Sequence, residues 1–187
     1  LERMAPLGIK LVQLRIKDQP ETAVRDQIAK AAAICKSAGI TLIVNDYWQL
    51  AIDLDCDWVH LGQEDLDIAD MAAIRRAGLR LGLSTHDRDE LDRALGHDPD
   101  YIALGPVYPT KLKKMKWHQQ GLEKLSEWKG LIGDIPLVAI GGINADNVAR
   151  VTAAGADAVA VIDAVFAADD IQSAARALVT RGFGAAS

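Results

Sequence analysis

Short apolar runs alternate along this chain with longer stretches in which apolar residues return every three or four positions. The short runs predict β-strands at 9–16, 40–44, 58–61, 80–84, 101–104, 136–140 and 158–162. The helical spacing predicts helices at 21–38, 46–54, 67–77, 88–95, 119–129, 145–154 and 171–181, with a short turn at 164–166. Gly39 and Gly78 stand where the first and third helical patterns stop, as C-terminal caps do. Residues 105–120 form a loop longer than an ordinary strand-to-helix connection, and 182–187 read as a loose tail. Strands separated by helices of this length predict a parallel sheet with right-handed crossovers. The strands are rich in Val, Ile and Leu on both faces, as buried parallel strands are. The pattern holds seven strands, and residues 1–7 read as the end of a helix. The expected fold class is therefore α/β, a (β/α)8 TIM barrel lacking its first strand in this chain, organised as one domain over 1–187. A doubly wound open sheet is the rival, but the chain shows no Gly-x-Gly-x-x-Gly turn.

Within that alternation residues 11–17, Leu-Val-Gln-Leu-Arg-Ile-Lys, depart from the usual half-buried strand. Gln13, Arg15 and Lys17 are spaced two apart and share a face, with Leu14 and Ile16 on the other. Two cations beside an amide suit a phosphate or diphosphate. An edge strand with its charges in water gives the same pattern.

Composition narrows the partners. Half of the residues are hydrophobic and a quarter charged, as in soluble globular domains, and the net charge is −5. That field disfavours nucleic acid and anionic membranes, so any anion must be held by a local group of cations. Cys35 and Cys56 have neither metal-type nor redox-type spacing. Both read as reduced, buried small hydrophobes in a cytoplasmic protein. No apolar run approaches the ~18 residues of a membrane span, and no signal peptide is expected.

In a barrel, chemistry gathers where strands end at their carboxyl side. Those positions hold Arg15 and Lys17, then Asn45 and Asp46, then the run Gly62-Gln63-Glu64-Asp65, then Ser84, Thr85 and His86. The loop from Gly105 to Thr110 leads into Lys111, Lys113, Lys114 and Lys116, and its length suggests a lid. Gly141 and Gly142 follow the sixth strand, and Ile162 and Asp163 the seventh. Asp46 and Asp65 end neighbouring strands, ~4.8 Å apart in a sheet. Two acids that close repel unless a cation intervenes, and Mg²⁺ accepts one or two carboxylates together with phosphate oxygens. Helix or turn capping is the alternative for each Asp. Gly141-Gly142 offers backbone a close approach to an anion, or simply a turn that glycine makes. Trp58 and His60 alternate on a strand as core residues. His86 is a substrate contact or a helix-start residue.

These motifs together resemble thiamine phosphate synthase. They are Gln13-Leu-Arg15-Ile-Lys17, Val44-Asn45-Asp46, Val59-His60-Leu61-Gly62-Gln63-Glu64-Asp65-Leu66, Leu83-Ser84-Thr85-His86, Tyr101-Ile-Ala-Leu-Gly105-Pro106-Val-Tyr-Pro109-Thr110 and Ala139-Ile-Gly141-Gly142-Ile143. The resemblance implies a (β/α)8 barrel that joins hydroxymethylpyrimidine diphosphate to thiazole phosphate, giving thiamine phosphate and pyrophosphate. It implies that Arg15, Lys17, Asn45 and Lys113 hold the diphosphate, with Thr110 donating to it. It assigns Mg²⁺ to Asp46 and Asp65, the pyrimidine to Gln13 and Ser84, and the thiazole phosphate to Gly142 and the Ile162–Asp163 turn. Lys113, Ser84 and Arg15 are the expected catalytic residues. The partners implied are the two small substrates, with no nucleic acid and no membrane; a homodimer is compatible.

No Ser-His-Asp or Cys-His arrangement is needed for such chemistry. The diphosphate leaves once its charge is neutralised, the aminopyrimidine shares the positive charge on its methylene carbon, and the thiazole nitrogen attacks. Two positions depart from the family pattern. Leu112 stands where the family carries a second Thr, removing a hydroxyl donor. Asp163 stands where the family carries Ser, adding a charge that repels phosphate. They motivate two alternatives: a thiazole phosphate tautomerase using His86, and a non-catalytic binder of phosphorylated thiamine precursors.

Overall fold

A computed structural model describes residues 7, 9–109 and 118–184. Strands and helices alternate throughout them, and the chain divides into two compact units, Leu1–Leu83 and Ser84–Ser187.

The first unit runs β1 (Leu11–Leu14), α1 (Glu21–Ala38), β2 (Thr41–Asn45), α2 (Trp48–Asp53), β3 (Trp58–Leu61), a 3₁₀ turn (Asp65–Asp67), α3 (Met71–Arg76) and β4 (Arg80–Thr85), whose last two residues belong to the second unit. Its strands pair in parallel, each with the next in sequence. Leu14 lies opposite Val44, Asn45 opposite His60, and Leu61 opposite Leu83. This register brings the carboxyl ends of β1, β2 and β3 together. Helix α1 presents Val24, Ile28, Ala31 and Cys35, a helical stripe that is buried throughout. It packs on β2, where Val44 is fully buried. Each such aliphatic contributes ~1.5–3 kcal/mol by leaving water. Gly39 ends α1 in the left-handed conformation (φ 66°), and the Ile40 N–H closes on the Cys35 carbonyl at 2.9 Å.

The second unit runs α4 (Arg88–Leu95), β5 (Tyr101–Leu104), α5 (Gly121–Ile132), β6 (Leu137–Ile140), α6 (Val148–Ala153), β7 (Ala158–Ala160), α7 (Asp163–Phe166) and α8 (Ile171–Phe183). Strands β5, β6 and β7 pair in parallel, with Leu104 opposite Ala139 and Ile140 opposite Ala160. Trp128 of α5 is fully buried. Its Nε1–H donates to Thr85 Oγ1 at 2.9 Å, and that hydroxyl donates to the Ala103 carbonyl at 3.0 Å. The relay satisfies groups whose orphaning would cost ~1–3 kcal/mol each. Asp157 accepts from Lys129 Nζ and from the Leu137 N–H, both at 2.8 Å. Burial works to raise its carboxyl pKa, but the Lys129 and Leu137 bonds outweigh it and hold the group below its ordinary value.

Element ends differ from the sequence expectation where side chains compete for the backbone. The first strand was expected over 9–16 and spans only Leu11–Leu14, with Asp18 turning the chain at φ 56° four residues on. Arg15 and Lys17 therefore stand in the loop rather than on the strand, although exposure still alternates: 13, 15 and 17 are exposed and Ile16 is buried. The helix expected over 67–77 begins at Met71, because Asp70 rather than Asp67 caps it, accepting from the Ala73 N–H at 2.9 Å. The helix expected over 46–54 begins at Trp48. No helix among the described residues is long and apolar enough to cross a membrane.

Candidate active site

The first unit gathers charge at the ends of β1, β2 and β3. Asn45 is the last residue of β2 and is buried. Asp46 follows in the left-handed region (φ 68°), its N–H donating to the His60 carbonyl at 3.0 Å. That backbone turns its carboxylate to Lys17, whose Nζ donates to Asp46 Oδ2 in an ion pair. The capping alternative for Asp46 fails, since α2 has Tyr47 at its N-cap and no side chain caps it. Asp65 opens the 3₁₀ turn and reaches back, its Oδ2 accepting from the Gly62 N–H at 2.8 Å. A Cβ at position 62 would lie 3.1 Å from that oxygen, so glycine is what lets the carboxylate close in.

Asp46 and Asp65 interact directly. Burial raises the Asp65 pKa. The Gly62 N–H opposes that rise, while the charge of Asp46 and a hydrogen bond with its carboxyl add to it, and Lys17 pulls the other way. His60, buried beside them, is driven down to about 4, chiefly by desolvation, with Asp46 pulling it back up. It is a core residue as expected, whereas Trp58, expected in the core beside it, is only half-buried and lies under the Arg80 guanidinium.

These residues fit a hard divalent cation. The pair offers only oxygen acceptors, and no group of three or more His, Cys, Asp or Glu among the described residues forms a fuller ligand set. Two carboxylates with the remaining positions left to water and phosphate oxygens is a Mg²⁺ donor set rather than a closed Zn²⁺ one. Gln13 and Arg15 are exposed nearby in sequence, Gln13 opposite Ile43 on β1.

In the second unit the candidate residues are held by backbone contacts. Two loops interlock after β5 and β6. The Val107 N–H donates to the Ile140 carbonyl at 2.9 Å, and the Tyr108 N–H to the Gly141 carbonyl at 3.0 Å. Gly141 (φ 99°) would drive a Cβ to 2.6 Å from Pro106 Cβ, and Gly142 (φ 65°) to 2.7 Å from both the Pro109 carbonyl oxygen and Tyr108 Cβ. Neither position has room for a side chain. Gly142 is exposed, and its carbonyl accepts from Asn147 Nδ2 at 3.0 Å. Ser84 is half-buried near the end of β4, beside the Thr85 relay. His86 follows. Its Nδ1 and its backbone N–H each lie 2.8 Å from Glu90 Oε2, so the helix-start reading of His86 holds. Ile162 is exposed at the N-cap of α7, and Asp163 is exposed in its first turn. Thr110, Lys113 and the rest of 110–117, including Leu112 and the expected lid lysines, lie outside the described residues.

Sequence reasoning gave no role to Gly62, Tyr47 or Glu90. Glu90 was findable, because four residues separate it from His86 and that spacing pairs side chains on a helix. The contacts of Tyr47 join residues far apart in sequence and leave no local signal.

Comparison with known proteins shows which family this chain resembles. The family model described as thiamine monophosphate synthase matches residues 1–165. A thiamine-phosphate synthase from Rhizobium etli is 60% identical over 162 residues, covering 87% of this chain and 79% of that protein. One from Serratia proteamaculans is 49% identical over 179 residues, covering 96% and 84%. Among solved structures, thiamine phosphate pyrophosphorylase from Pyrococcus furiosus superposes with a TM-score of 0.83 at 32% identity, over 95% of this chain and 85% of that one. Orotidine 5'-phosphate decarboxylase from Pyrococcus horikoshii, at 12% identity, a TM-score of 0.71 and coverage of 97% and 90%, shares the fold alone. The (β/α)-barrel class expected from the alternation of strands and helices is the class of these neighbours, with seven strands in the described residues here.

Proposed function

The chain belongs to the thiamine monophosphate synthase family, and from that premise we propose that it joins hydroxymethylpyrimidine diphosphate to thiazole phosphate through a Mg²⁺-assisted loss of pyrophosphate. The observation that carries the site assignment is the facing pair Asp46 and Asp65 with Lys17 already paired to Asp46. When bound, Mg²⁺ supplies Lewis-acid neutralisation of the diphosphate oxygens.

The chain's own residues do the rest. Asp46 and Asp65 hold the cation. Lys17 and Arg15, with Asn45, take the charge of the departing diphosphate. The bond from the pyrimidine methylene carbon to the diphosphate oxygen breaks with its electron pair on oxygen. The amino group of the ring shares the positive charge left on carbon, and Gln13 and Ser84 orient the ring. The thiazole nitrogen lone pair then forms the new carbon–nitrogen bond, releasing thiamine phosphate and pyrophosphate. Gly142 and the Ile162–Asp163 turn receive the thiazole phosphate, and Thr110 and Lys113 complete the diphosphate contacts. No protein nucleophile is required; Cys35 is buried as expected, Cys56 is only half-buried where burial was expected, and His86 is held by Glu90. The family's own names favour neither the tautomerase nor the non-catalytic reading.

The test is direct. The protein is mixed with both precursors and Mg²⁺, and pyrophosphate is assayed. Stoichiometric release dependent on both substrates and on Mg²⁺ is expected; its absence with a folded, full-length chain overturns the proposal.

A further inference from the structure

The loop that carries Arg15 and Lys17 is held from the side by Tyr47. The Tyr47 hydroxyl donates to the Ile16 carbonyl at 3.3 Å, in a half-buried setting. Ile16 lies between the two cations, and its own side chain is buried, 5% exposed. Farther along, Gln19 Oε1 accepts from Gln27 Nε2 of α1. Asp46, the residue before Tyr47, grips Lys17. Residues 46 and 47 therefore hold residues 17 and 16 respectively, one through charge and one through a neutral hydrogen bond.

The two grips respond differently to loading. Lys17 Nζ is half-exposed in its pair with Asp46, and this pair is the one that must loosen if Asp46 is to hold a cation and Lys17 a diphosphate. The Tyr47 contact joins a hydroxyl to a carbonyl and does not change when Asp46 changes partner. We propose that Tyr47 is a positioning residue for the diphosphate seat: it fixes the Arg15–Lys17 loop at Ile16 while Lys17 passes from Asp46 to the anion. This rests on the assignment of Arg15 and Lys17 to the diphosphate. Without the hydroxyl, substrate binding has to order that loop itself, and affinity falls by the ordering cost. Tyr47 touches no substrate, so the chemical step is unaffected.

Tyr47→Phe keeps the ring and its packing and removes one hydrogen bond, which corresponds to about a three- to tenfold change in affinity. Inorganic pyrophosphate is titrated calorimetrically into the Mg²⁺-loaded wild type and variant, and both KM values, kcat and the melting temperature are measured. The expected result is pyrophosphate binding weakened about three- to tenfold, with KM for hydroxymethylpyrimidine diphosphate raised by a similar factor. KM for thiazole phosphate and kcat stay as in wild type, and the melting temperature falls by no more than the few degrees that one lost hydrogen bond accounts for. Unchanged pyrophosphate affinity overturns the inference. So does an equal rise in both KM values with a melting temperature lowered further than that, which would make Tyr47 a general packing residue. A wild type that binds pyrophosphate yet couples no precursors would refute the proposed reaction, while the binding comparison would still decide the role of Tyr47.

Discussion

The two units offer the phosphates proposed for them opposite kinds of surface. In the first, the proposed recognition rests on acidic and basic side chains, Lys17, Asp46 and Asp65, gathered past the strand ends. In the second, it is built from backbone, Gly141 and Gly142 pressed against Pro106, Tyr108 and Pro109 with no room for a Cβ. The glycine region is finished before any ligand arrives. Substitutions should therefore act on chemistry and charge in one and on shape in the other.

The largest effect is expected from Asp65→Asn. Turnover should fall by about 100-fold or more and lose its dependence on Mg²⁺, followed as pyrophosphate release across a Mg²⁺ titration. Stability should move the other way. The Asp65 pKa is raised above its unfolded value, so its contribution is complete at low pH and is lost as pH rises through the folded value. At neutral pH without metal the acidic pair is a burden, and the Asn variant should melt at the same temperature as wild type or higher in chelator. A lower melting temperature would mean that Asp65 is a structural acid.

Lys17→Ala should raise KM for the diphosphate substrate by roughly 10- to 100-fold, the range of a lost charged hydrogen bond, with KM for thiazole phosphate little changed. The wild-type KM for the diphosphate substrate should also rise with added salt more steeply than the variant's, since Lys17 is half-exposed. Equal losses for both substrates would erase the distinction between the two regions.

The smallest effect sharpens the glycine side. Gly142→Ala forces a side chain into the left-handed region and against Pro109 and Tyr108, and should cost ~1–3 kcal/mol of stability while raising KM for thiazole phosphate alone. Gly39→Ala is the control. Its φ of 66° is nearly the same, but nothing lies within 4 Å of the added carbon, so it should cost ~1 kcal/mol and leave kinetics untouched. Denaturant unfolding with steady-state kinetics separates the two.

Legibility followed the range of the forces involved. The nearness of Asp46 to Asp65 was readable in part: parallel pairing sets the ends of β2 and β3 side by side, but Asp65 stands four residues past Leu61 and reaches back through a turn that strand spacing does not encode. The alternation over 13–17 gave the correct exposures even though hydrogen bonding stops at Leu14, because side-chain direction persists where the ladder ends. The start of α3 was misplaced because Asp67 and Asp70 are equal candidates in sequence, and only the geometry of the 3₁₀ turn selects Asp70. Gly141-Gly142 announced a tight turn but not the proline and tyrosine that crowd it. The Tyr47–Ile16 bond spans 31 residues and depends on where two loops fall, which no local pattern encodes.

The relay from Trp128 through Thr85 has a practical consequence. A sealed indole whose N–H ends on the residue next to Ser84 should fluoresce at short wavelength, and its emission reports on the strand end that is assigned to the pyrimidine ring. With Trp48, Trp58 and Trp117 replaced by Phe, Trp128 becomes a label-free optical probe of the end of β4, read from behind.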